Sequence, residues 1–229
     1  MENPKISVII PHYNHREYLP QAVESILAQT YQNFEIIIVE QVNYFPYRFG
    51  NPKIRVLAMD FADKAKALNY GIKEAKGEWI AFQDADDLSM NYRFSYVWDE
   101  KDMIYGDMIN IDRKGVHKYV KALPFTAETL QKSSLQVFSS IMIKTEIARQ
   151  VPFREGFGYG DDYIWTCDLL KSELIKRWSC IPIPLYYHRD YTSTYRLRPG
   201  KHPYINALRN RWKLRKMRGK VQKTVAEIL

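Results

Sequence analysis

Only two of the 229 residues are cysteine, Cys167 and Cys180, and their spacing matches no zinc pattern. The expectation is a pair of free thiols in a reducing compartment, and so a cytoplasmic protein. Long apolar runs are missing as well. Val8-Ile9-Ile10 and Ile36-Ile37-Ile38-Val39 are among the longest, and both are far too short to span a bilayer. Met1-Glu2-Asn3-Pro4 has neither a basic start nor an extended apolar stretch, so no secretory signal is expected. Internal repeats and low-complexity tracts are absent. Glycine is missing where a phosphate-cradling loop would need it. The first apolar run ends in Pro11-His12-Tyr13-Asn14-His15, which weakens a nucleotidyltransferase reading.

What is present is enough for a proper core. With 46% hydrophobic residues the chain needs no covalent staples, and its length fits one large α/β domain with or without an appendage. The net charge of +8 is unevenly placed. Arg196 to Leu229 holds 11 of the 34 Lys and Arg and one of the 26 acids, a net of +10, which leaves the remainder at −2. A basic tail of this kind can meet nucleic acid, anionic lipid or an acidic partner, or simply be well solvated.

Hydrophobic periodicity sets the expected order of elements. Lys5 to Ile10, Phe34 to Val39, Ile54 to Ala58 and Glu78 to Gln83 read as strands. Tyr18 to Gln29 and Ala62 to Ala75 carry helical stripes between them. This alternation predicts a mainly parallel, Rossmann-like sheet flanked by helices. Ligands bind beyond the carboxyl ends of such strands, so Pro11–His15, Glu40–Asn43 and Asp84–Asp87 are expected along one edge. Further on, Met103 to Asn110 and Val116 to Leu123 read as a hairpin, Val137 to Ile143 as a strand and Asp162 to Leu170 as a helix. Leu174 to Ile181 and Pro184 to His188 read as two closing strands. A basic helical tail follows from Pro203, with the linker at Pro199-Gly200. The expected division is a catalytic domain over 1–198 and a tail over 199–229.

Asp84, Asp86 and Asp87 follow an apolar strand directly. Carboxylates that close repel one another unless a cation or hydrogen bonds offset them. Oxygen ligands at this density suit Mg²⁺ or Mn²⁺, with a ligand phosphate completing the shell. By residue type alone, an acidic turn capping the next helix fits equally well.

Family resemblance separates the two. Ile6-Ser7-Val8-Ile9-Ile10-Pro11-His12-Tyr13-Asn14, Ser25-Ile26-Leu27-Ala28-Gln29-Thr30-Tyr31 and Phe34-Glu35-Ile36-Ile37-Ile38-Val39 form one part of an ordered set. Ala67-Leu68-Asn69-Tyr70-Gly71-Ile72, Ala75-Lys76-Gly77-Glu78-Trp79-Ile80-Ala81-Phe82 and Asp84-Ala85-Asp86-Asp87 complete it. In that order they resemble family 2 glycosyltransferases over residues 5 to about 90. Most members carry two Asp and then Gly-Ser after the second strand. Glu40-Gln41-Val42-Asn43 instead looks like the β-1,4-galactosyltransferase type, as do Phe157-Gly158-Tyr159-Gly160-Asp161-Asp162 and His188-Arg189-Asp190. In the aromatic-glycine loop, Tyr159 stands where Trp is usual.

The resemblance implies a GT-A fold and an inverting, metal-dependent transfer from a nucleotide-sugar, probable donors being UDP-hexose and UDP-N-acetylhexosamine, to a glycan or lipid-linked acceptor. Asp86 is then the direct metal ligand, Asp84 reaches the donor ribose or the metal, and His188 approaches the same metal from the far end of the domain. An ordinary strand-end histidine is the plainer reading of His188. Pro11 and Tyr13 pack against the base, Glu40 accepts from it, and Lys64 meets the diphosphate. Pro11 also serves as a plain strand terminator, and Lys66 belongs to a solvated helix face. Asp162 is the general base with Asp161 beside it, although an N-cap pair at a helix dipole would look the same. Tyr159, Gly160 and Asp161 line the acceptor.

Two readings from other classes stand beside this one. A nucleic-acid-binding module finds no zinc finger or aromatic-basic strand motif to support it. A non-catalytic sugar-binding relative would not be expected to keep Asp84, Asp86 and Asp162. In the tail, Ile205, Leu208 and Trp212 share one helical side, whereas Met217, Val221, Val225 and Ile228 share another. The first side is expected to pack on the catalytic domain and the second to lie on an anionic membrane surface. A solvated helix or a homodimer contact is the alternative.

Overall fold

Ile6–His12 (β1) and Phe34–Gln41 (β2) are buried along their whole length. Near-continuous apolar strands of this kind need cover on both faces, which a parallel sheet with crossover helices supplies. The computed structural model describes residues 5–14, 16–41, 49–60, 62–112, 114–135, 137–157, 160–189 and 219–229. Ile54–Met59 (β3) and Trp79–Phe82 (β4) complete a parallel quartet in the order β3-β2-β1-β4. The crossovers are Leu19–Leu27 (α1) and Lys64–Glu74 (α2). Asp63 starts α2 by accepting from the Lys66 N–H at 3.1 Å.

The strands alternate between two cores, as the period of two demands. Ile9 and Ile37 face a cluster built with α2, whereas Val8, Ile10, Ile36 and Ile38 face Leu19, Val23 and Ile26 of α1. All four strands point their carboxyl ends the same way, which brings His12, Glu40 and the Asp84–Asp87 turn to one edge.

The second half departs from the parallel pattern. Leu88–Ser89 (β5), Met103–Ile111 (β6), His117–Val120 (β7), Met142–Lys144 (β8) and Trp178–Arg189 (β9) extend the sheet as β8-β6-β9-β5, with β7 on β6 as a hairpin. β8 is antiparallel to both β4 and β6, while β9 runs parallel to β6. Ala127–Lys132 (α3), Thr145–Gln150 (α4) and Asp161–Ser172 (α5) cover one face.

Two expectations change here. Val137 to Ile143 is not one strand. Phe138–Ser140 is a 3₁₀ turn, because the Ser140 hydroxyl donates to Val137 O at 2.8 Å and competes with the sheet ladder. The two expected closing strands are a single strand, β9. Pro182 and Pro184 read as breakers, but the register of β6 against β9 shifts around Gly106 and Asp107, and proline is tolerated at such a bulge. Gly106 is needed there, since a Cβ would sit 2.7 Å from Leu185.

The end of the chain brings a third correction. Residues 219–228 are helical, and Val221, Val225 and Ile228, expected to lie on a membrane, are buried in the α2-side core. Met217, Ile205, Leu208, Trp212 and the expected linker lie outside the described residues. No helix among the described residues is long and apolar enough to cross a membrane.

Arg93 ties the core to the site edge. Its fully buried guanidinium donates to Phe82 O at 2.9 Å, Ser89 Oγ at 2.9 Å and Ile141 O at 3.3 Å. Burial pushes its pKa down to about 10, so it stays cationic at neutral pH. Arg93→Met should destabilise the fold by about 3 kcal/mol, because buried acceptors lose their donor. The check is the midpoint of urea unfolding, which should fall at an unchanged slope.

Candidate active site

The chain after β4 turns through Gln83 to Asp87, and β9 holds that turn. The Asp84 N–H donates to Tyr186 Oη at 2.9 Å. Asp87 is fully buried and accepts from the Arg189 N–H at 2.7 Å and from His188 Nδ1 at 2.9 Å. Arg189 also donates to Asp86 O at 2.6 Å, contacts Gln21 Oε1 of α1 and lies over the Tyr18 ring. The acidic turn is therefore held by donors from β9, which offset the repulsion among its carboxylates.

The three carboxylates do different work. Asp84 Oδ1 accepts from Lys64 Nζ at 2.6 Å and Oδ2 from Ser139 Oγ. Burial alone would raise its pKa, but the Lys64 charge, these hydrogen bonds and His188 hold it below the usual carboxylate range. Both Asp84 oxygens are thus hydrogen-bonded, one to Lys64 and one to Ser139. Asp87 is a buried orienter rather than a ligand. Asp86 is half-buried, and its charge is felt by both Lys64 and His188.

His188 fits the ligand role. Its Nδ1 is tied to Asp87, a carboxylate–histidine pairing that orients the ring. Burial would lower its pKa, but Asp87, Asp84 and Asp86 raise it to about 9. That same negative field would favour a cation. Among the described residues no three His, Cys, Asp or Glu side chains converge to hold a metal by themselves. Asp86 and His188 are the side chains that could hold a divalent ion there, since Mg²⁺ sites commonly use few protein ligands beside phosphate and water.

Lys64, at the first turn of α2, is the counter-ion of the group. Burial opposes its charge, yet Asp84, Asp162 and Asp86 raise its pKa. Asp162 lies in the first turn of α5, within electrostatic reach of Lys64 and Asp84. Burial raises its pKa and Asp84 adds to the rise, against Lys64 and backbone N–H donors. Asp161 is buried at 7% exposure. Gly160 caps α5 in the left-handed region at φ 72°, a conformation glycine adopts without a steric penalty. Gly158 and Tyr159 lie outside the described residues.

At the base-binding end, Pro11 is buried, Tyr13 is half-buried, and Glu40 pairs across the β1–β2 register with the fully buried His12. His12, Ser139, Tyr186 and Arg189 were not singled out as site residues from the sequence. His12 had the clearest signal, a polar residue at the end of an apolar strand run.

The geometry defines an α/β sheet that carries an acidic turn at its carboxyl-end edge. Residues 7–103 match the model of glycosyl transferase family 2. That part of the chain is similar to the family 2 glycosyltransferases. An uncharacterised glycosyltransferase of Rickettsia felis is 35% identical over 133 residues, covering 52% of this chain and 22% of the relative. The UDP-Glc:alpha-D-GlcNAc-diphosphoundecaprenol beta-1,3-glucosyltransferase WfgD of Escherichia coli is 25% identical over 193 residues, covering 79% of this chain and 75% of WfgD. The chain spans less than two thirds of the first curated relatives it matches, between 22% and 62% of their lengths. In fold it is similar to S. aureus TarS residues 1–349 in complex with UDP-GlcNAc, with a TM-score of 0.66 at 20% identity over 87% of this chain and 60% of that one. The fold is GT-A-like.

Proposed function

We propose that the protein is an inverting glycosyltransferase that moves a sugar from a uridine diphosphate sugar to a hydroxyl of a glycan or lipid-linked acceptor. The observation that carries this reading is the convergence of Lys64, Asp84, Asp86, His188 and Asp162 at the carboxyl-end edge of the sheet. Asp86 and His188 would hold Mn²⁺ or Mg²⁺, which when bound supplies charge neutralisation for the leaving diphosphate. Lys64 adds a fixed positive charge, and Asp84 keeps that ammonium in place and turns toward the donor ribose. Pro11 and Tyr13 pack against the base, while His12 orients Glu40 to accept from it. Asp162 takes the proton from the acceptor hydroxyl. The acceptor oxygen then bonds to the anomeric carbon as the bond to the diphosphate breaks, inverting that centre.

The uridine donor is suggested by the ligand named with TarS and the donor named for WfgD. The lipid-linked acceptor follows WfgD alone. The free cysteines suit a cytoplasmic setting. A membrane or homodimer contact would have to use surfaces other than the buried strip of Val221, Val225 and Ile228.

The test is UDP release from UDP-glucose and UDP-N-acetylglucosamine, with Mn²⁺ and p-nitrophenyl glycosides as acceptors. Excess EDTA should reduce turnover to about a hundredth or less, and added Mn²⁺ should restore it. Full activity in EDTA would remove the metal from the reading.

A further inference from the structure

The loop that enters α5 is gripped by the end of the chain. Helix 219–228 buries Val221 and Val225 at 5% exposure and Ile228 at 7%, in the same core as Phe153, Ile164 and Trp165. A Cβ at Gly160 would lie 3.0 Å from Val221 Cγ2 and 3.2 Å from Cγ1. Lys220 Nζ sits 4.1 Å from the centroid of the Phe157 ring. Glu227 is close enough to Arg154 to raise its pKa, after the larger effect of Asp168. The helix therefore touches Phe157 and Gly160 and acts on Arg154 through charge, all in the stretch that leads into Asp161 and Asp162.

Gly160 needs such a grip. It caps α5 in the left-handed region, with no side-chain hydrogen bond to the helix N-terminus. Its carbonyl accepts from the Ile164 N–H at 3.0 Å, so its position sets the axis on which Asp162 is presented. A cap without a side-chain bond frays unless packing holds it.

We infer that helix 219–228 is a positioning strap for the acceptor side of the site, with Val221 fixing Gly160 and thereby Asp162. The inference rests on Asp162 being the general base. It assigns the C-terminal helix to acceptor use and not to donor binding. Val221 is a positioning residue and Gly160 its contact.

The experiment is a mutant cycle in the full chain: Gly160→Ala, Val221→Ala and the double variant. Gly160→Ala should lower kcat with the glycoside acceptors about tenfold, since a small misplacement of a base is costly. UDP affinity by calorimetry should stay within about twofold. Val221→Ala should recover part of the loss in the Gly160→Ala background, because it removes the two methyls that the new Cβ meets. A double variant no better than Gly160→Ala overturns the inference, as does UDP affinity falling in step with kcat. If Gly160→Ala fails to fold, Val221→Ala alone decides. Hydrogen exchange at the Ile164 amide should rise and kcat should fall at constant UDP affinity, with Val221→Ile near wild type. Unchanged exchange and kinetics in Val221→Ala overturn it. Asp162→Asn in parallel separates the two readings. Full transfer by that variant sinks the base assignment, whereas its loss beside silent Val221 variants sinks only the strap.

Discussion

Asp86→Ala is expected to lose about a thousandfold in kcat/KM while the protein stays folded. Asp84 is taken by Lys64 and Ser139, and Asp87 by His188 and the Arg189 backbone. Neither can replace Asp86 without breaking a buried network. The Asp86 side chain is half-buried and adds little to the core, and its backbone carbonyl accepts from the Arg189 guanidinium. Circular dichroism and the melting temperature should therefore stay near wild type. Added Mn²⁺ should not rescue the variant at concentrations that saturate the parent enzyme. Normal turnover by Asp86→Ala would move the metal elsewhere.

Asp162→Asn should reduce transfer about a thousandfold through kcat, with UDP affinity nearly unchanged. Asparagine keeps the shape but cannot take a proton at neutral pH. Burial, with the Asp84 charge next in the same sense, lifts the Asp162 pKa above the ordinary carboxylate value against the opposing pull of Lys64. The wild-type rate should thus fall as pH drops through that raised pKa, where the base becomes protonated. The residual rate of Asp162→Asn should lack this acidic limb. If Asp161→Asn proves the more damaging change, the two roles are exchanged. The burial of Asp161 argues for a structural part instead.

Much of the first half was legible because its strands are buried on both faces, and such strands write themselves as unbroken apolar runs. Ile6–His12 and Phe34–Gln41 ran slightly beyond the expected ends, into polar residues that the sheet still pairs. The second half was harder to read for a local reason. Ala127–Lys132 and Thr145–Gln150 are six residues each, too short to show a stripe against background. Phe138–Ser140 has the composition of a strand but a serine hydroxyl that closes a turn. Within the site, Asp86 and Lys64 were singled out through the ordered motif and His188 through the later His188-Arg189-Asp190 match. Ser139 and Tyr186 were not, since a hydroxyl that matters only after long-range packing leaves no mark on its own segment. For the tail, the stripe of Val221, Val225 and Ile228 was seen but given the wrong solvent. Amphipathicity reports that a helix has an apolar side and not what that side meets.

The anchoring of the acidic turn has a consequence for how the enzyme comes into being. Asp84, Asp87 and their partners on β9 are 101 or 102 residues apart in the chain. Contacts at that separation are among the slowest a domain makes, because the loop must close before any bond rewards it. The segment carrying the family signature, 7–103, ends before β9 begins. A nascent chain that has emitted only the signature therefore lacks Tyr186, His188 and Arg189, the β9 partners of that turn. The motif by which the enzyme is recognised is complete well before the turn it encodes has a shape. Restraint of the turn arrives with β9, so secondary structure should run ahead of the ordering of the turn whenever the protein refolds.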